Sequence, residues 1–535
     1  MKRNGTVILT GDSLTISDVI DIAENGYGVD LSKDRWDYLK NFRNGLEKQL
    51  VTQPEIKIYG TNVGCGDLKD IVLSPHVFEN YQERFIKAHN CGTGMPLKEK
   101  FVRAIMVLRL NSFAKGMSAL RPETCKLMVD MLNRGVTPWV LEEGSVGASG
   151  DLVPLAMIAA VMLGLPQAKA YYQGQLLSAP EALSQADLKP TKLGAKEAMG
   201  LTNGSSFIAG LAVFAYRDTV NLYNNALISA ALSLEAIRGE QDAFSELIIH
   251  SRPHAGQLKT GTQIRNLIRN SKRMSTKSQK HLFPGQITGT AEERVQDRYS
   301  FRAVPQVHGT LYESIRKFEE ILTIEINSAT DNPLFTFENG IYSAKSGANF
   351  HGQPLAVVVD YLKIALTGVL LITNKRAFAI LDKAQSYGLP QDLAADPAGG
   401  DTGLMITQYA ASARAAESRI LSTPASITSI STAANQEDFV SMGSIGILHL
   451  NKIILNGEIV VAVELLCALR SLQMTETYLP EHLRSLGEGT QRIASYLTKC
   501  LPPVFQDQYL RDDMESMRSE VRNGSIVGLV ADLLA

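Results

Sequence analysis

The residues from 144 to 151 could make a reactive group out of the backbone itself. The segment reads Gly-Ser-Val-Gly-Ala-Ser-Gly-Asp. Because Gly150 has no Cβ, the chain can fold back until the Gly150 nitrogen meets the carbonyl carbon of Ala148. Closing that ring and removing water, including the Ser149 hydroxyl, leaves an exocyclic methylidene conjugated to an imidazolone. We therefore predict an electrophile that no unmodified side chain provides.

Seven further blocks carry polar or aromatic residues, two of them together with glycine, as loops that bind and react with small molecules do. In chain order they are Tyr59-Gly60-Thr61-Asn62-Val63-Gly64-Cys65-Gly66, Ala88-His89, Leu201-Thr202-Asn203-Gly204, Gln296-Asp297-Arg298-Tyr299-Ser300-Phe301-Arg302, Asp331-Asn332-Pro333, Asn349-Phe350-His351 and Asn435-Gln436-Glu437. Together with the 144–151 segment, they resemble the motifs of the aromatic amino acid ammonia-lyase and aminomutase family. Its members carry a self-formed methylidene-imidazolone (MIO) group, and the histidine type is the most similar.

The resemblance implies a role for each matching residue. The catalytic set comprises Tyr59, Ala148, Ser149, Gly150 and Tyr299. The substrate-binding set comprises His89, Asn203, Gln296, Arg302, Asn332, Phe350 and Glu437. The MIO group would form autocatalytically from residues 148–150, so no metal or external cofactor is expected.

The implied reaction removes ammonia and a β-proton from an aromatic α-amino acid. The MIO group would make the amine a good leaving group, and Tyr59 would remove the proton, which combines covalent with general base catalysis. Arg302 and Asn332 would hold the substrate carboxylate, a task that suits the planar guanidinium of arginine. Fixing the carboxylate aligns the β-carbon with Tyr59.

The substrate is less firmly indicated than the reaction. Glu437 and His89 favour L-histidine, giving urocanate, because an acid and a histidine suit an imidazole better than a phenyl ring. Tyrosine or phenylalanine, giving coumarate or cinnamate, is the alternative, since Ala88, Ala303 and Phe439 depart from the commonest histidine pattern. An aminomutase would use the same residues. The alternative from another functional class is a homologue that binds a ligand but catalyses no reaction.

The amino-acid composition limits the classes of partner and the cellular compartment that we expect. The 535 residues carry 53 Lys and Arg against 55 Asp and Glu, a net charge of −2, so no overall field favours nucleic acid or a membrane surface. The basic stretch 265–280 lacks interleaved aromatics and indicates a solvated loop. Five scattered cysteines form no metal-binding spacing and indicate reduced thiols in a cytoplasmic protein. No signal peptide or membrane span is expected.

Helices, strands and loops must position the candidate site residues. The pattern predicts a helix near 15–25 capped by Ser13 or Thr15, helices over 33–49, 78–120, 151–165 and 205–250, and a hairpin at 171–174. The stretches 352–383 and 444–472 are apolar all round, which is typical of helices buried in a bundle or an oligomer interface.

The predicted fold is mainly α, as in the fumarase/aspartase-like superfamily. It divides into an N-terminal α+β part with the Tyr59 and 148–150 loops (1–200), a central long-helix bundle (201–472) and peripheral C-terminal helices (473–535). The resemblance also implies a homotetramer with shared active sites, whose only other partner is the amino-acid substrate.

Overall fold

The computed structural model of the chain describes residues 5–53, 57–58, 63, 71, 75–284, 295–396, 399–504 and 506–535. These residues form two compact units, each built from three segments. The first unit comprises Met1–Ala215, Phe318–Asp360 and Pro424–Leu448, and the second comprises Tyr216–Lys317, Tyr361–Thr423 and His449–Ala535. Most described residues are helical, so the prediction of a mainly α fold is confirmed. The division at residues 200 and 472 remains a prediction.

The strands are short and belong to the first unit. They are β1 (Thr6–Leu9), β2 (Gly28–Leu31), β3 (Thr93–Pro96), β4 (Thr137–Pro138), β5 (Leu141–Glu143), β6 (Lys169–Tyr172), β7 (Gln175–Ser178), β8 (Leu334–Glu338) and β9 (Ile341–Lys345). β1 pairs with β2 in parallel, whereas β3–β5, β4–β6–β7 and β8–β9 are antiparallel. The predicted hairpin is β6–β7, and its turn residues Gln173 and Gly174 both have positive φ, as tight hairpins prefer.

Eight helices of the first unit precede the long helices. They are α1 (Ile16–Ala23), α2 (Lys33–Thr52), α3 (Pro75–His89), α4 (Glu99–Ala114), α5 (Pro122–Arg134), α6 (Leu152–Met162), α7 (Ala179–Gln185) and α8 (Glu197–Thr202). Thr15 caps α1 through a capping box with Asp18, as predicted. The residues predicted to be helical over 78–120 form two helices, α3 and α4, which β3 separates.

Four long helices contribute residues to both units. They are α9 (Ser206–Ile237), α14 (Val304–Glu325), α15 (Gln353–Leu381) and α17 (Gly443–Thr475). α15 and α17 match the two stretches predicted from their all-round apolar pattern. By length and composition α15 could cross a membrane, but 61% of its most apolar window is buried in the structure. Burial of that kind is typical of a core helix in a folded protein.

The remaining elements belong to the second unit, apart from one short turn. They are α10 (Glu246–His250), α11 (Ala255–Ile268), α12 (Thr276–Gln279), α13 (Tyr299–Arg302), α16 (Met405–Leu421), α18 (Glu488–Cys500), α19 (Leu510–Asn523), α20 (Ser525–Gly528) and α21 (Ala531–Leu534), with 3-10 turns at Asp242–Phe244, Gln391–Leu393, Glu476–Tyr478 and Glu481–Leu483 and, in the first unit, Ala433–Asn435.

The basic stretch 265–280 is not the solvated loop that its charges predicted. Its first residues complete α11, and Arg273 is buried. The Arg273 guanidinium donates to the carbonyl of Glu235 at 2.9 Å and to Thr475 Oγ1 at 2.5 Å. Arg273 is therefore part of the buried structure, because a buried guanidinium must be hydrogen-bonded to fixed acceptors.

A buried ion pair links three of the long helices within the second unit. Arg376 on α15 binds both carboxylate oxygens of Glu464 on α17, and both side chains are fully buried. Ser229 and Ser233 of α9 each donate to the same carboxylate at 2.7 Å. The charge on each partner is therefore compensated by the other and by hydrogen bonds.

Removing one partner of this pair should leave the other charge buried alone. We expect Glu464→Ala to lower the free energy of unfolding by about 3 kcal/mol. Lys345→Ala breaks an exposed pair with Glu338 and should cost less than about 1 kcal/mol. Urea unfolding of both variants checks the difference, and equal losses would contradict this account of the helix core.

Candidate active site

The segment from 144 to 151 is held in place by its own hydrogen bonds and by the start of α17. Ser145 Oγ accepts from the Gly147 nitrogen at 3.1 Å and donates to Asp151 Oδ1 at 2.8 Å. The Met442 nitrogen donates to the Val146 carbonyl at 3.0 Å. Ala148 is buried against Met442 in a small apolar cluster. The backbone that was predicted to cyclise is therefore fixed on both sides.

Gly150 and Gly204 bring two backbone segments into direct contact. Gly150 has a φ of +75°, and a Cβ on it would lie 2.3 Å from the Gly204 carbonyl oxygen. The two residues form an isolated parallel bridge, and the Asp151 nitrogen donates to the Gly204 carbonyl at 2.8 Å. Only glycine fits such an approach. The residues 148–150 therefore fit the predicted MIO group, because nothing but hydrogen projects from Gly150 at the atoms that would close the ring.

Asp151 connects this segment to the first turn of α9. Its carboxyl group is fully buried and accepts from Ser145 Oγ and from the Ile208 nitrogen, the latter at 3.1 Å. Burial raises the pKa of Asp151 from its ordinary value of 3.8 to about 7, although both hydrogen bonds act in the opposite direction. Asp151 thus anchors the loop at a cost that depends on pH.

Ser149 contacts Glu437, which lies 288 residues further along the chain. Ser149 Oγ donates to Glu437 Oε1 at 2.6 Å, and Thr432 Oγ1 donates to Glu437 Oε2 at 2.6 Å. Thr432 and Glu437 also pair through their backbones, with the Thr432 nitrogen 3.0 Å from the Glu437 carbonyl oxygen. Both oxygens of this half-buried carboxylate are therefore engaged, and one of them faces the predicted reactive centre.

Asn203 and Asn332 lie close together in the same unit. Asn203 is buried, its Nδ2 is 3.5 Å from the Asn332 carbonyl oxygen, and its Oδ1 has no hydrogen-bond partner within the described part of the chain. Asn332 Oδ1 accepts from the Gly347 nitrogen at 2.7 Å, which orients its amide. Leaving a buried amide oxygen without a partner costs free energy. A donor group on a bound ligand could satisfy the Asn203 Oδ1 and remove that cost.

His89 and Phe350 are placed by local contacts. His89 Nδ1 donates to the Phe85 carbonyl at 2.8 Å, and the imidazole stacks on the Phe85 ring with centroids 3.9 Å apart. That bond assigns a proton to Nδ1 and turns Nε2 away from the helix backbone. Phe350 is half-buried ahead of α15, and the ring of the neighbouring His351 stacks on Phe439.

Gln296, Tyr299 and Arg302 belong to the second unit. The Arg302 guanidinium lies 4.6 Å from the centre of the Tyr299 ring, and its Nε is buried without a partner among the residues described. Gln296 and Tyr299 are exposed, Tyr299 at 75%. Tyr59 lies outside the described residues, so its predicted role remains a prediction.

Two residues at this site were given no role from the sequence. The sequence does contain a signal for Asp151. An acid placed directly before the all-apolar helix α6 must be buried with that helix. Gly204 followed an asparagine and looked like an ordinary turn. Among the described residues no group of three or more His, Cys, Asp or Glu side chains could hold a metal ion.

The contact of Gly150 with Gly204 predicts a position-specific effect of alanine. Gly150→Ala should prevent the loss of water from residues 148–150, because the new Cβ would displace the Gly204 backbone. Gly174→Ala is a matched control, with a φ of +78° but open space around it, and should cost only about 1 kcal/mol of strain. Peptide masses and melting temperatures check both variants; normal processing in Gly150→Ala would contradict the packing described.

The raised pKa of Asp151 predicts a pH-dependent stability difference. Between about pH 4 and pH 7 the folded state binds a proton that the unfolded state has released, so this contribution to stability is lost as pH rises. Asp151→Asn removes the titration. The stability of the wild type relative to Asp151→Asn should therefore fall across that window in parallel urea titrations, and a constant difference would contradict the buried carboxyl.

Known proteins are similar to this chain along nearly its whole length. The family of aromatic amino acid lyases matches residues 14–499. A histidine ammonia-lyase from Alkaliphilus oremlandii is 36% identical over 98% of both chains. The solved structure of a tyrosine aminomutase from Streptomyces globisporus has a TM-score of 0.88 at 30% identity over 98% of both chains. That of a histidine ammonia-lyase from Trypanosoma cruzi has a TM-score of 0.86 at 30% identity, covering 99% of this chain and 95% of the other. The chain belongs to the aromatic amino acid lyase family.

Proposed function

We propose that this protein is an ammonia-lyase that converts L-histidine into urocanate and ammonia. The observation that carries the proposal is the Glu437 carboxylate held 2.6 Å from Ser149 Oγ. The similarity to histidine ammonia-lyases over nearly the full chain supports the same substrate. Residues 148–150 would form the MIO group, with no metal or external cofactor required.

Once formed, the MIO group supplies an electrophile that activates the amine of the substrate as a leaving group. Glu437 stands beside that position and can accept a hydrogen bond from an imidazole N–H. A phenyl ring offers no such donor, so binding it would leave Oε1 of Glu437 without a hydrogen bond from the substrate. His89 Nδ1 already donates to Phe85, which leaves Nε2 as the ring atom that can meet the substrate side chain.

The polar ends of the substrate need separate partners. We assign the carboxylate to Arg302 and to the amide of Asn332, whose Oδ1 is already occupied by Gly347. The Oδ1 of Asn203, which has no partner among the residues that the structure describes, suits the substrate ammonium group.

Proton removal from the β-carbon is assigned to Tyr59. A free tyrosine has a pKa of about 10, so a nearby positive charge or helix N-terminus must lower that pKa for this task. Tyr299 and Gln296 would line the second loop of the site, and Phe350 would pack near the reactive group. These roles follow from the family motifs that the residues match.

The protein is further proposed to be a cytoplasmic homotetramer with shared active sites. On α15 and α16 of the second unit, several large apolar side chains are at least one-third exposed: Tyr361, Ile364, Phe378, Ile406, Tyr409 and Ile420. Residues three apart on a helix share a face, as Tyr361 and Ile364 and also Ile406 and Tyr409 do, and exposed apolar faces are typical of surfaces that other subunits cover. Cys91, Cys125, Cys467 and Cys500 are free thiols, which suits a reducing compartment.

Separate incubation with histidine, tyrosine and phenylalanine tests the substrate. We expect urocanate, followed by its ultraviolet absorbance, from histidine alone. Glu437→Gln, compared per processed active site, should lower kcat/KM for histidine by about 10- to 100-fold, because one hydrogen bond to a charged acceptor is lost. Asp438→Asn changes the neighbouring exposed acid and should leave kcat/KM unchanged.

The other outcomes distinguish the alternatives. Formation of coumarate or cinnamate would change the proposed substrate to tyrosine or phenylalanine but leave the ammonia-lyase reaction in place. Formation of a β-amino acid without net ammonia release would identify an aminomutase, as the similarity to tyrosine aminomutase allows. No reaction with all three amino acids, in a protein that carries the MIO group, would overturn the proposal.

A further inference from the structure

Lys196 is a fully buried lysine that contacts one of the proposed substrate-binding residues. Its ammonium group lies 2.8 Å from Asp331 Oδ2 and 3.3 Å from the Asn332 carbonyl oxygen. We propose that Lys196 is a positioning residue: by holding the Asn332 backbone, it fixes the direction in which the Asn332 amide donates to the substrate carboxylate. This inference rests on the proposed function, because it takes that amide as a partner of the carboxylate.

The ion pair of Lys196 and Asp331 holds both backbone groups of Asn332. Asp331 Oδ1 accepts from the Asn332 nitrogen at 2.6 Å, and Lys196 Nζ donates to the Asn332 carbonyl. In the side chain of Asn332, Oδ1 accepts from the Gly347 nitrogen at 2.7 Å. Nδ2 is then the atom of Asn332 that can donate to a ligand, and the three other contacts set its direction.

Both ends of α8 contact the same carbonyl group. Lys196 is the residue that precedes the helix and Asn203 the residue that follows it, and Asn203 Nδ2 lies 3.5 Å from the Asn332 carbonyl oxygen. An amide that directs its nitrogen at a carbonyl directs its own oxygen elsewhere. The carbonyl held by Lys196 therefore also orients Asn203 Oδ1, the atom assigned to the substrate ammonium group.

The lysine is placed here against its own preferences. It has a φ of +75°, in the left-handed region that a residue with a Cβ rarely adopts. Burying its charge with that of Asp331 also costs desolvation, which an apolar pair of similar size would avoid. Such a pair would offer no donor to the Asn332 carbonyl. Strained and buried polar residues of this kind are typical of functional sites.

A second buried cation, Arg109, supports the neighbouring residues. Its guanidinium donates to Thr330 Oγ1 at 3.3 Å and to the Gly200 carbonyl. Those bonds hold the residue two before Asn332 and the middle of α8, whereas the ammonium that donates to the Asn332 carbonyl is that of Lys196. Removing Lys196 would thus release Asn332 and leave the support from Arg109 in place.

A double variant separates positioning from stability. Lys196→Met alone would leave the Asp331 carboxylate without its ion-pair partner. Combining it with Asp331→Asn removes both charges and keeps an acceptor for the Asn332 nitrogen. The double variant should melt within about 5 °C of the wild type, because replacing both members of a buried pair is often neutral. Lys192→Met makes the same change at an exposed lysine of the same segment and is the control.

Two matched ligands then measure the contact with the carboxylate. Urocanate and 4-vinylimidazole share the ring and the double bond, and only urocanate has a carboxylate. The double variant should bind urocanate about 10-fold more weakly, as expected when a hydrogen bond to a charged group is misdirected, and should bind 4-vinylimidazole as the wild type does. Lys192→Met should bind both ligands normally. Titration calorimetry gives the dissociation constants, on protein whose peptide masses show equal processing of residues 148–150.

Several results would overturn the inference alone. Unchanged urocanate binding would mean that Lys196 does not direct the amide. Equal weakening of both ligands would indicate general damage to the site. A melting temperature far below that of the wild type would assign the ion pair to stability.

The proposed function fails in other ways. A wild type that binds urocanate, shows the predicted loss in the double variant and yet releases no urocanate from histidine would overturn the proposed function and support the inference. If the wild type releases coumarate from tyrosine, coumarate and 4-vinylphenol replace the two ligands, and a loss confined to coumarate supports the inference. A wild type that binds neither urocanate nor coumarate would overturn both.

Discussion

The site depends on the close approach of two backbone segments at Gly150 and Gly204. Backbone atoms of Gly204 occupy the space that any side chain at position 150 would need. This contact places the 148–150 backbone beside Asn203 and the first turn of α9. Gly204 is itself confined, because a Cβ there would lie 2.3 Å from a guanidinium nitrogen of the buried Arg109. Both partners must therefore be glycine for the reactive segment to sit where it does.

Each polar group buried around the contact between Gly150 and Gly204 lowers the stability of the fold, but together these groups form the candidate site. Asp151 accepts hydrogen bonds from the Ser145 hydroxyl and from backbone nitrogens at the start of α9, yet burial still raises the pKa of its carboxyl to about 7. Asn203 Oδ1 is buried without a partner among the described residues, a cost that a bound ammonium group would remove. Glu437, by contrast, is only half-buried and keeps its carboxylate between Thr432 and Ser149. The buried polar groups around residues 148–150 thus lower the stability of the fold, while Glu437, the proposed contact of the substrate, remains partly accessible.

The sequence predicts local structure well where a pattern has one physical cause. The apolar stretches 352–383 and 444–472 fall within two residues or so of α15 and α17, apart from the last turn of α17, and Thr15, one of the two predicted caps, does cap α1. Charge patterns were less informative, because a sequence does not show which basic residue of 265–280 finds buried acceptors. Arg273 does.

The site itself could be predicted only in part. Ala148-Ser149-Gly150 carries its chemistry locally, but the meeting of Ser149 with Glu437 joins segments 288 residues apart. No periodicity or spacing encodes that contact; the resemblance to a family named both residues, and the fold brings them together. Asn203 and Asn332 meet in the same way, since α8 and the turn before β8 are adjacent only in space.

The central claim is that Glu437 stands beside the reactive group and receives the imidazole of the substrate. A crystal structure of the purified protein with bound urocanate tests it most directly. The account predicts a closed ring at residues 148–150 and an imidazole nitrogen within hydrogen-bonding distance of a Glu437 carboxylate oxygen. An unmodified Ser149 still bonded to Glu437, or an imidazole bound away from that carboxylate, would contradict it.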